Sequence, residues 1–148
     1  MTLFFPDLNI WLALSDAAHT HNNAAWRWLS QLRGDHKLVF SRYTEIGLLR
    51  LLTNSAVMGA ETLTLREAWG VYDRWLEDPR VAFYPEPRDI EAAFRRSTKP
   101  FAAKPASKWV GDCWLLAYAE EIQATLVTFD RALYEFARKQ SCAATIPV

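Results

Sequence analysis

The chain has 148 residues, a length that suits one domain with a buried core. Hydrophobic residues make up 51% of it, including seven Trp and eight Phe, which excludes a disordered tail, and no apolar run reaches the about 18–20 residues that a membrane span needs. The 17 Lys and Arg residues balance the 17 Asp and Glu residues, so any nucleic-acid function has to follow from where the charges lie.

Short apolar runs predict five buried strands, and segments with helical periodicity lie between them. The runs cover residues 3–5, 38–40, 81–84, 125–129 and 144–146. Strands that alternate with helices favour a parallel sheet covered by helices on both faces, an α/β/α sandwich. We therefore expect one α/β domain over residues 1–148, in which ligands bind beyond the carboxyl ends of the strands.

The segments between the strands predict amphipathic helices. Apolar spacing places them around residues 25–32, 45–52, 65–76, 90–94 and 111–123. The third begins with a capping box, Thr64–Glu67, and ends just before Pro79, because proline cannot continue the hydrogen-bond ladder. The helical spacing of its two Trp residues predicts that they belong mostly to the core, and six positions mark its apolar face: Leu65, Ala68, Trp69, Tyr72, Trp75 and Leu76.

Two aspartates directly follow predicted strands. Asp7 comes after the first strand and Asp130 after the fourth. Either one alone is equally well explained as a helix N-cap, a position that favours Asp. If the two strands are neighbours in the sheet, however, both carboxylates point into the same crevice.

Two further acids lie on apolar helix faces. Glu45 shares a face with leucines three, four and seven positions further on, and Asp112 stands in the same relation to Leu115, Leu116 and Ala119. A carboxylate there needs compensation beyond the about 0.3–1 kcal/mol that a helix dipole supplies. A divalent cation such as Mg²⁺ provides it with oxygen ligands. The alternative is a structural network in which these acids pair with Arg42, Arg50 or Arg131.

Four segments carry these acids: residues 5–14 (FPDLNIWLAL), 44–54 (TEIGLLRLLTN), 109–119 (WVGDCWLLAYA) and 126–131 (LVTFDR). In this order they resemble the PIN-domain ribonucleases, in particular the VapC-like toxins of bacterial toxin–antitoxin pairs, and the likeness covers essentially the whole chain. Pro6 and Cys113 depart from the aliphatic and small residues usual in the family, but neither removes a carboxylate.

The resemblance implies a metal-dependent endoribonuclease on a parallel sheet of about five strands. It implies that Asp7, Glu45, Asp112 and Asp130 are the catalytic acids and hold Mg²⁺ or Mn²⁺. Asn9 and Thr128 stand where such proteins carry polar residues that support the acids through hydrogen bonds. The resemblance also implies an RNA substrate, products with 5′-phosphate and 3′-hydroxyl ends, a cognate antitoxin and a homodimer.

A basic segment runs from residue 92 to residue 111 without any acid. Its cations are Arg95, Arg96, Lys99, Lys104 and Lys108. Phe101 and Trp109 are interleaved with them, and basic charge with exposed aromatic rings suits phosphate contacts and base stacking on single-stranded RNA. The alternative is a solvated loop with Trp109 packed into the core.

Single residues distinguish two alternative functional classes from the ribonuclease. A haloacid dehalogenase-type phosphatase begins similarly, but Asn9 replaces its second Asp and Trp11 stands where that family has Thr or Val. An idle PIN-like RNA-binding or scaffold module is the other alternative, although such modules lose carboxylates that this chain keeps.

Cys113 and Cys142 form no CxxC pair, and the N-terminus has no basic region, so we expect a reduced, cytoplasmic location without signal peptide, disulfides or zinc.

Overall fold

The structure, a computed structural model, describes residues 1–148 and contains the five predicted strands. These are β1 (Leu3–Pro6), β2 (Lys37–Phe40), β3 (Val81–Phe83), β4 (Thr125–Val127) and β5 (Ala144–Thr145). The helices are α1 (Leu8–Ser15), α2 (Asn22–Ser30), α3 (Arg42–Leu52), α4 (Ser55–Met58), α5 (Leu65–Glu77), α6 (Ile90–Thr98), α7 (Val110–Glu121) and α8 (Arg131–Lys139). None of them combines the length and the apolar character of a membrane span.

All strand pairs are parallel, and the spatial order is β3-β2-β1-β4-β5. Successive strand residues point to opposite faces: Leu38 and Phe40 belong to a core shared with α1, α2, α3 and α5, whereas Val39 belongs to a core shared with α7 and α8. Helices therefore cover both faces, and the predicted α/β/α sandwich is confirmed.

The chain order reverses between β1 and β4. From β1 the chain builds outward through β2 to β3, and it then returns to the other side of β1 to add β4 and β5. In open α/β sheets, the crevice beyond the carboxyl ends of two strands at such a switch point is where ligands bind. Asp7 follows β1 and Asp130 lies three residues beyond the end of β4, so the topology brings both acids to this crevice.

Side-chain caps fix the starts of five helices, α1, α3, α4, α5 and α8. The predicted capping box of α5 is confirmed: the Glu67 N–H donates to the Thr64 hydroxyl over 3.2 Å, and the Glu67 carboxylate accepts from the Thr64 N–H over 2.9 Å. A second box, between Ser41 and Thr44, begins α3 and was not apparent from the sequence. It sets the start of the helix so that Glu45 falls in its first turn.

Only a narrow strip of α5 is buried. The predicted core position is correct for Trp75 and wrong for Trp69, which is 43% exposed, and Leu65 and Leu76 of the same apolar pattern are 57% and 39% exposed. The helix packs on α3 and on β3, which is an edge strand, so only Ala68, Tyr72 and Trp75 reach the core.

Gly47 allows α1 and α3 to pack closely. A Cβ atom at this position would overlap the side chain of Leu8, the first residue of α1. The absence of a side chain therefore lets the start of α1, which directly follows Asp7, lie against the middle of α3.

Candidate active site

Asp7 caps α1 at the centre of the crevice. Its backbone N–H donates to the Val127 carbonyl over 2.8 Å, which ties the end of β1 to β4. Its Oδ1 accepts from the Leu8 N–H over 2.6 Å. The side chain is buried, and this burial raises the pKa of Asp7 despite the hydrogen bonds, with a further contribution from Asp130. The N-cap interpretation is therefore correct for Asp7, but the capping hydrogen bond does not fully offset the cost of burying the Asp7 carboxylate.

Thr128 and Asn9 connect the ends of the two central strands. The Thr128 hydroxyl donates to Asp7 Oδ2 over 2.8 Å and accepts from the Asp130 N–H over 2.9 Å. Asn9 Nδ2 donates to the same hydroxyl over 3.3 Å, and Asn9 Oδ1 accepts from the Phe129 N–H over 3.2 Å. Thr128 thus bonds directly to Asp7 and to the Asp130 backbone, whereas Asn9 is connected to these acids only through Thr128 and the Phe129 backbone.

Asp130 is exposed and caps α8. Its Oδ1 accepts from the Leu133 N–H over 3.2 Å, so this acid too is an N-cap. Arg131, one of the suggested structural partners, lies instead beside Glu135, with 3.8 Å between the charged atoms.

Asp112 lies in the first turn of α7 and has no partner. Its carboxylate accepts no hydrogen bond from the chain and pairs with no Arg, Lys or His. Partial burial, followed by the repulsion of Asp7 and Asp130, raises the pKa of Asp112 to about 6. Asp7 and Asp130 therefore both lie near Asp112, at a distance over which like charges repel.

Glu45 has different neighbours from the three aspartates. It is buried on the predicted apolar face of α3, and its Oε1 accepts from Arg42 Nη1 over 2.6 Å. The Arg42 guanidinium also lies 4.5 Å from the centre of the Phe83 ring. Burial and the Glu45 carboxylate both raise the pKa of Tyr72. For Glu45, the arrangement therefore agrees with the structural-network alternative in which Arg42 is the partner.

The donor chemistry of the three aspartates fits a hard divalent cation. As the side chains are placed, no three Asp, Glu, His or Cys groups stand close enough together to hold one ion. However, Asp7, Asp112 and Asp130 offer only oxygen donors, they repel one another, and no side-chain cation pairs with them. Glu45 differs from these three acids because its Oε1 is already paired with Arg42.

The basic segment is exposed, as expected, but two of its five cations lie near acids. Arg95 pairs with Glu91 over 3.1 Å, and Arg96 lowers the pKa of Glu120 against the raising effect of burial. Lys99, Lys104 and Lys108 form no ion pair. The segment leads through two 3₁₀ turns, Lys99–Phe101 and Ser107–Trp109, directly into α7.

The aromatic rings of this segment are half-buried against the rest of the protein. Phe101 and Trp109 stack on each other with ring centres 4.9 Å apart, and both meet the edge of Phe136 on α8. The expectation of exposed rings is met only in part, because this contact with a helix distant in the sequence covers some of their apolar surface. The rings line a cavity of about 400 Å³ together with Lys104, Pro105 and Val110.

An exposed aromatic residue lies beside the aspartates instead. Tyr43 is 41% exposed, and the carboxylates of Asp112 and Asp7 raise its pKa in addition to the effect of burial. The sequence pattern did not indicate Tyr43, because it lies on the side of α3 opposite the apolar face that contains Glu45. Its position two residues before Glu45 is the signal that would have marked it.

Comparisons with known proteins agree with this geometry. Residues 4–139 match the PIN domain family. Ribonuclease VapC41 of Mycobacterium tuberculosis is 40% identical over 136 residues, which are 88% of this chain and 90% of that protein.

Solved structures share the fold at low sequence identity. A chain of VapBC2 from Rickettsia felis, bound to a promoter DNA fragment, has a TM-score of 0.74 at 14% identity, with 99% of this chain and 100% of that chain covered. The sarcin–ricin loop cleaving toxin VapC20 of Mycobacterium tuberculosis has a TM-score of 0.65 at 17% identity, with 89% and 93% covered. The resemblance seen in the sequence is confirmed.

Proposed function

The chain belongs to the PIN-domain family, and we propose that it is a metal-dependent endoribonuclease that acts as the toxin of a toxin–antitoxin pair. One observation carries the proposal: Asp7, Asp112 and Asp130 are gathered at the switch point of the sheet without a side-chain cation to balance them. The 40% identity to a named ribonuclease supports RNA as the substrate.

Asp7, Asp112 and Asp130, joined by Glu45, are the residues that would hold Mg²⁺ or Mn²⁺. When bound, such an ion lowers the pKa of a coordinated water and neutralises charge on a phosphate. Thr128 keeps the Asp7 carboxylate in one orientation through its donated hydrogen bond. Water attack at phosphorus needs no 2′-hydroxyl nucleophile, so the expected products carry 5′-phosphate and 3′-hydroxyl ends.

The same proposal covers the partners and the location of the protein. The solved structures with this fold include the VapBC2 pair, which supports a cognate antitoxin, and we propose a homodimer as the assembly that binds it. The matched range supports residues 1–148 as one PIN domain. Cys113 and Cys142 are both buried free thiols, which fits a reducing cytoplasm.

The test is incubation of the purified protein with total RNA in Mg²⁺, in Mn²⁺ and in EDTA, followed by mapping of new 5′ ends. We expect discrete cleavage sites that need the divalent ion, and fragments that a 5′-phosphate-dependent exonuclease degrades. Equal cleavage in EDTA, or 5′-hydroxyl ends, would contradict the proposed chemistry. RNA binding without cleavage in either ion would favour the idle RNA-binding module.

A further inference from the structure

One face of α3 carries exposed residues and begins next to the start of α7, one residue before Asp112. We propose that Tyr43 and Arg50 on this face form a nucleotide subsite, in which the Tyr43 ring stacks on an RNA base next to the cleaved phosphate and Arg50 binds a neighbouring phosphate. The inference rests on the proposed ribonuclease function and adds a substrate contact that lies outside the acids and the basic segment.

The subsite follows from the two faces of α3. Tyr43, Ile46, Gly47 and Arg50 are spaced three, four and seven residues apart and so share one face of the helix. The opposite face carries Glu45 and the buried leucines. Apart from the half-buried Gly47, the residues of the Tyr43 face are exposed, and none of them is acidic.

Tyr43 is held in place over the start of α7. Its ring stacks on Trp114 with ring centres 5.1 Å apart and an interplanar angle of 22°. A Cβ atom at Gly111 would overlap the Tyr43 hydroxyl, so this glycine makes room for it one residue before Asp112. One ring surface is therefore fixed by Trp114, while the side chain remains 41% exposed next to the aspartates.

Arg50 supplies an uncommitted positive charge on the same face. It is exposed, and its guanidinium forms no ion pair with any acid of the chain, unlike Arg42, Arg80, Arg95 and Arg131. It lines a shallow pocket together with Leu8, Tyr43 and Ile46. An unpaired guanidinium about two helical turns from an exposed ring suits a phosphate and its base.

Single-stranded RNA fits this face better than an apolar protein segment does. The Tyr43 ring lies near Asp7 and Asp112, where the cleaved phosphodiester has to bind. The aromatic rings of the basic segment, by contrast, already pack against Phe136. A more apolar surface, with Leu65 and Trp69, adjoins this face at Ile46 and Arg50 and lies on the side away from Tyr43 and α7. A protein partner on the Tyr43 face is the outcome that the test has to separate from RNA.

The test compares four variants for binding of a fluorescein-labelled single-stranded RNA, by anisotropy in EDTA so that no cleavage occurs. Tyr43→Leu removes the aromatic surface, Tyr43→Phe keeps it, and Arg50→Gln removes the charge. Trp26→Leu is the matched control, because Trp26 is 43% exposed but lies on α2. A second probe of equal length without bases presents phosphates only.

We expect Tyr43→Leu to weaken RNA binding at least about fivefold, the lower end of what the loss of one base–aromatic stack gives, and Tyr43→Phe to stay within about twofold of the wild type. Binding of the abasic probe should not change in Tyr43→Leu. A general folding defect, by contrast, would weaken the binding of both probes. Arg50→Gln should weaken both probes and lower the salt dependence by about 0.7 in log–log slope.

The subsite is refuted if Tyr43→Leu binds RNA as the wild type does, or if it weakens the abasic probe equally. Both results would assign this face to structure or to a protein partner. The proposed function fails separately, when wild-type protein does not cleave RNA in any divalent ion. The two failures are therefore distinguishable.

Discussion

At the scale of single residues, the four acids of the candidate site differ in how their charge is compensated. Asp7 has hydrogen-bond donors, Asp130 caps a helix, Glu45 has Arg42, and Asp112 has no partner. The least compensated acid is where a bound cation should change the stability of the protein most.

The first prediction concerns Asp112→Asn in the metal-free protein. Because the folded state raises the pKa of Asp112 to about 6, ionisation of this group destabilises the fold above that pH, and the effect disappears below the unfolded pKa of about 4. Above about pH 7 we expect the free energy of unfolding of the variant to exceed that of the wild type by at most about 1 kcal/mol, since solvent screens a partly exposed group.

Urea denaturation in EDTA at several pH values measures this difference. It should vanish as the pH falls through 6 towards about 4. Asp89→Asn is the control, because Asp89 is exposed and makes no capping hydrogen bond. A stability gain of Asp112→Asn that does not depend on pH would contradict the assigned cause.

The second prediction concerns Arg42→Ala. Arg42 is the ion-pair partner of the Glu45 carboxylate. Its removal should lower the melting temperature in EDTA, because Glu45 loses this partner. It should also increase the rise in melting temperature that Mg²⁺ produces, because the Glu45 carboxylate is then available to the ion. Thermal unfolding with and without Mg²⁺ measures both effects. Arg80→Ala, which breaks the Asp78 ion pair away from the acids, should leave the Mg²⁺-induced rise unchanged. An equal rise in Arg42→Ala and wild type would show that Glu45 does not contribute to ion binding.

At the scale of elements, the ends of β1 and β4 form one unit through Thr128. This side chain is fully buried and links Asp7, Asn9 and the backbone of Asp130. The two acids therefore keep their relation through a single hydroxyl group and not through strand pairing alone.

The third prediction is that Thr128→Val costs about 1–3 kcal/mol of unfolding free energy, because the Asp130 N–H loses its acceptor. RNA cleavage should fall as well, because the Asp7 carboxylate loses its donor. Thr128→Ser keeps the hydroxyl and should recover most of both losses, as measured by urea denaturation and by cleavage rate. Full activity in Thr128→Val would show that the hydroxyl does not position Asp7.

Elements were predictable from the sequence where one local pattern decides the structure. Buried strands appear as short apolar runs, and the capping box of α5 depends on two side chains three residues apart. The Phe101–Trp109 stack and the exposure of Leu65 were not predictable, because each depends on which distant helix or edge strand packs alongside. The Arg42–Glu45 pair stood among the alternatives, but only the structure selects Arg42 from the three arginines.

At the scale of the whole molecule, the balanced net charge hides an uneven distribution. The aspartates lie at the sheet edge, while Lys99, Lys104 and Lys108 are unpaired on the segment that leads into α7. Unpaired cations near an acidic site suit the binding of RNA phosphates.

The fourth prediction concerns the triple replacement of these lysines by Ala. If all three contact phosphates, the log–log salt dependence of single-stranded RNA binding should fall by about 2. Replacement of Arg66, Arg74 and Lys139, which are equally exposed and unpaired on other helices, is the matched control for net charge. An unchanged slope in the lysine variant would favour the solvated-loop alternative.

The central claim is that the aspartates at the switch point carry metal-dependent RNA cleavage. The most direct test is the rate of RNA cleavage in Mg²⁺ by Asp7→Asn, compared with Asp89→Asn as the control. Loss of a residue that only supports a metal ligand costs about 10–100-fold, so loss of the ligand itself should slow cleavage at least about a hundredfold, with the fold intact. Cleavage by Asp7→Asn as fast as by Asp89→Asn would contradict the account.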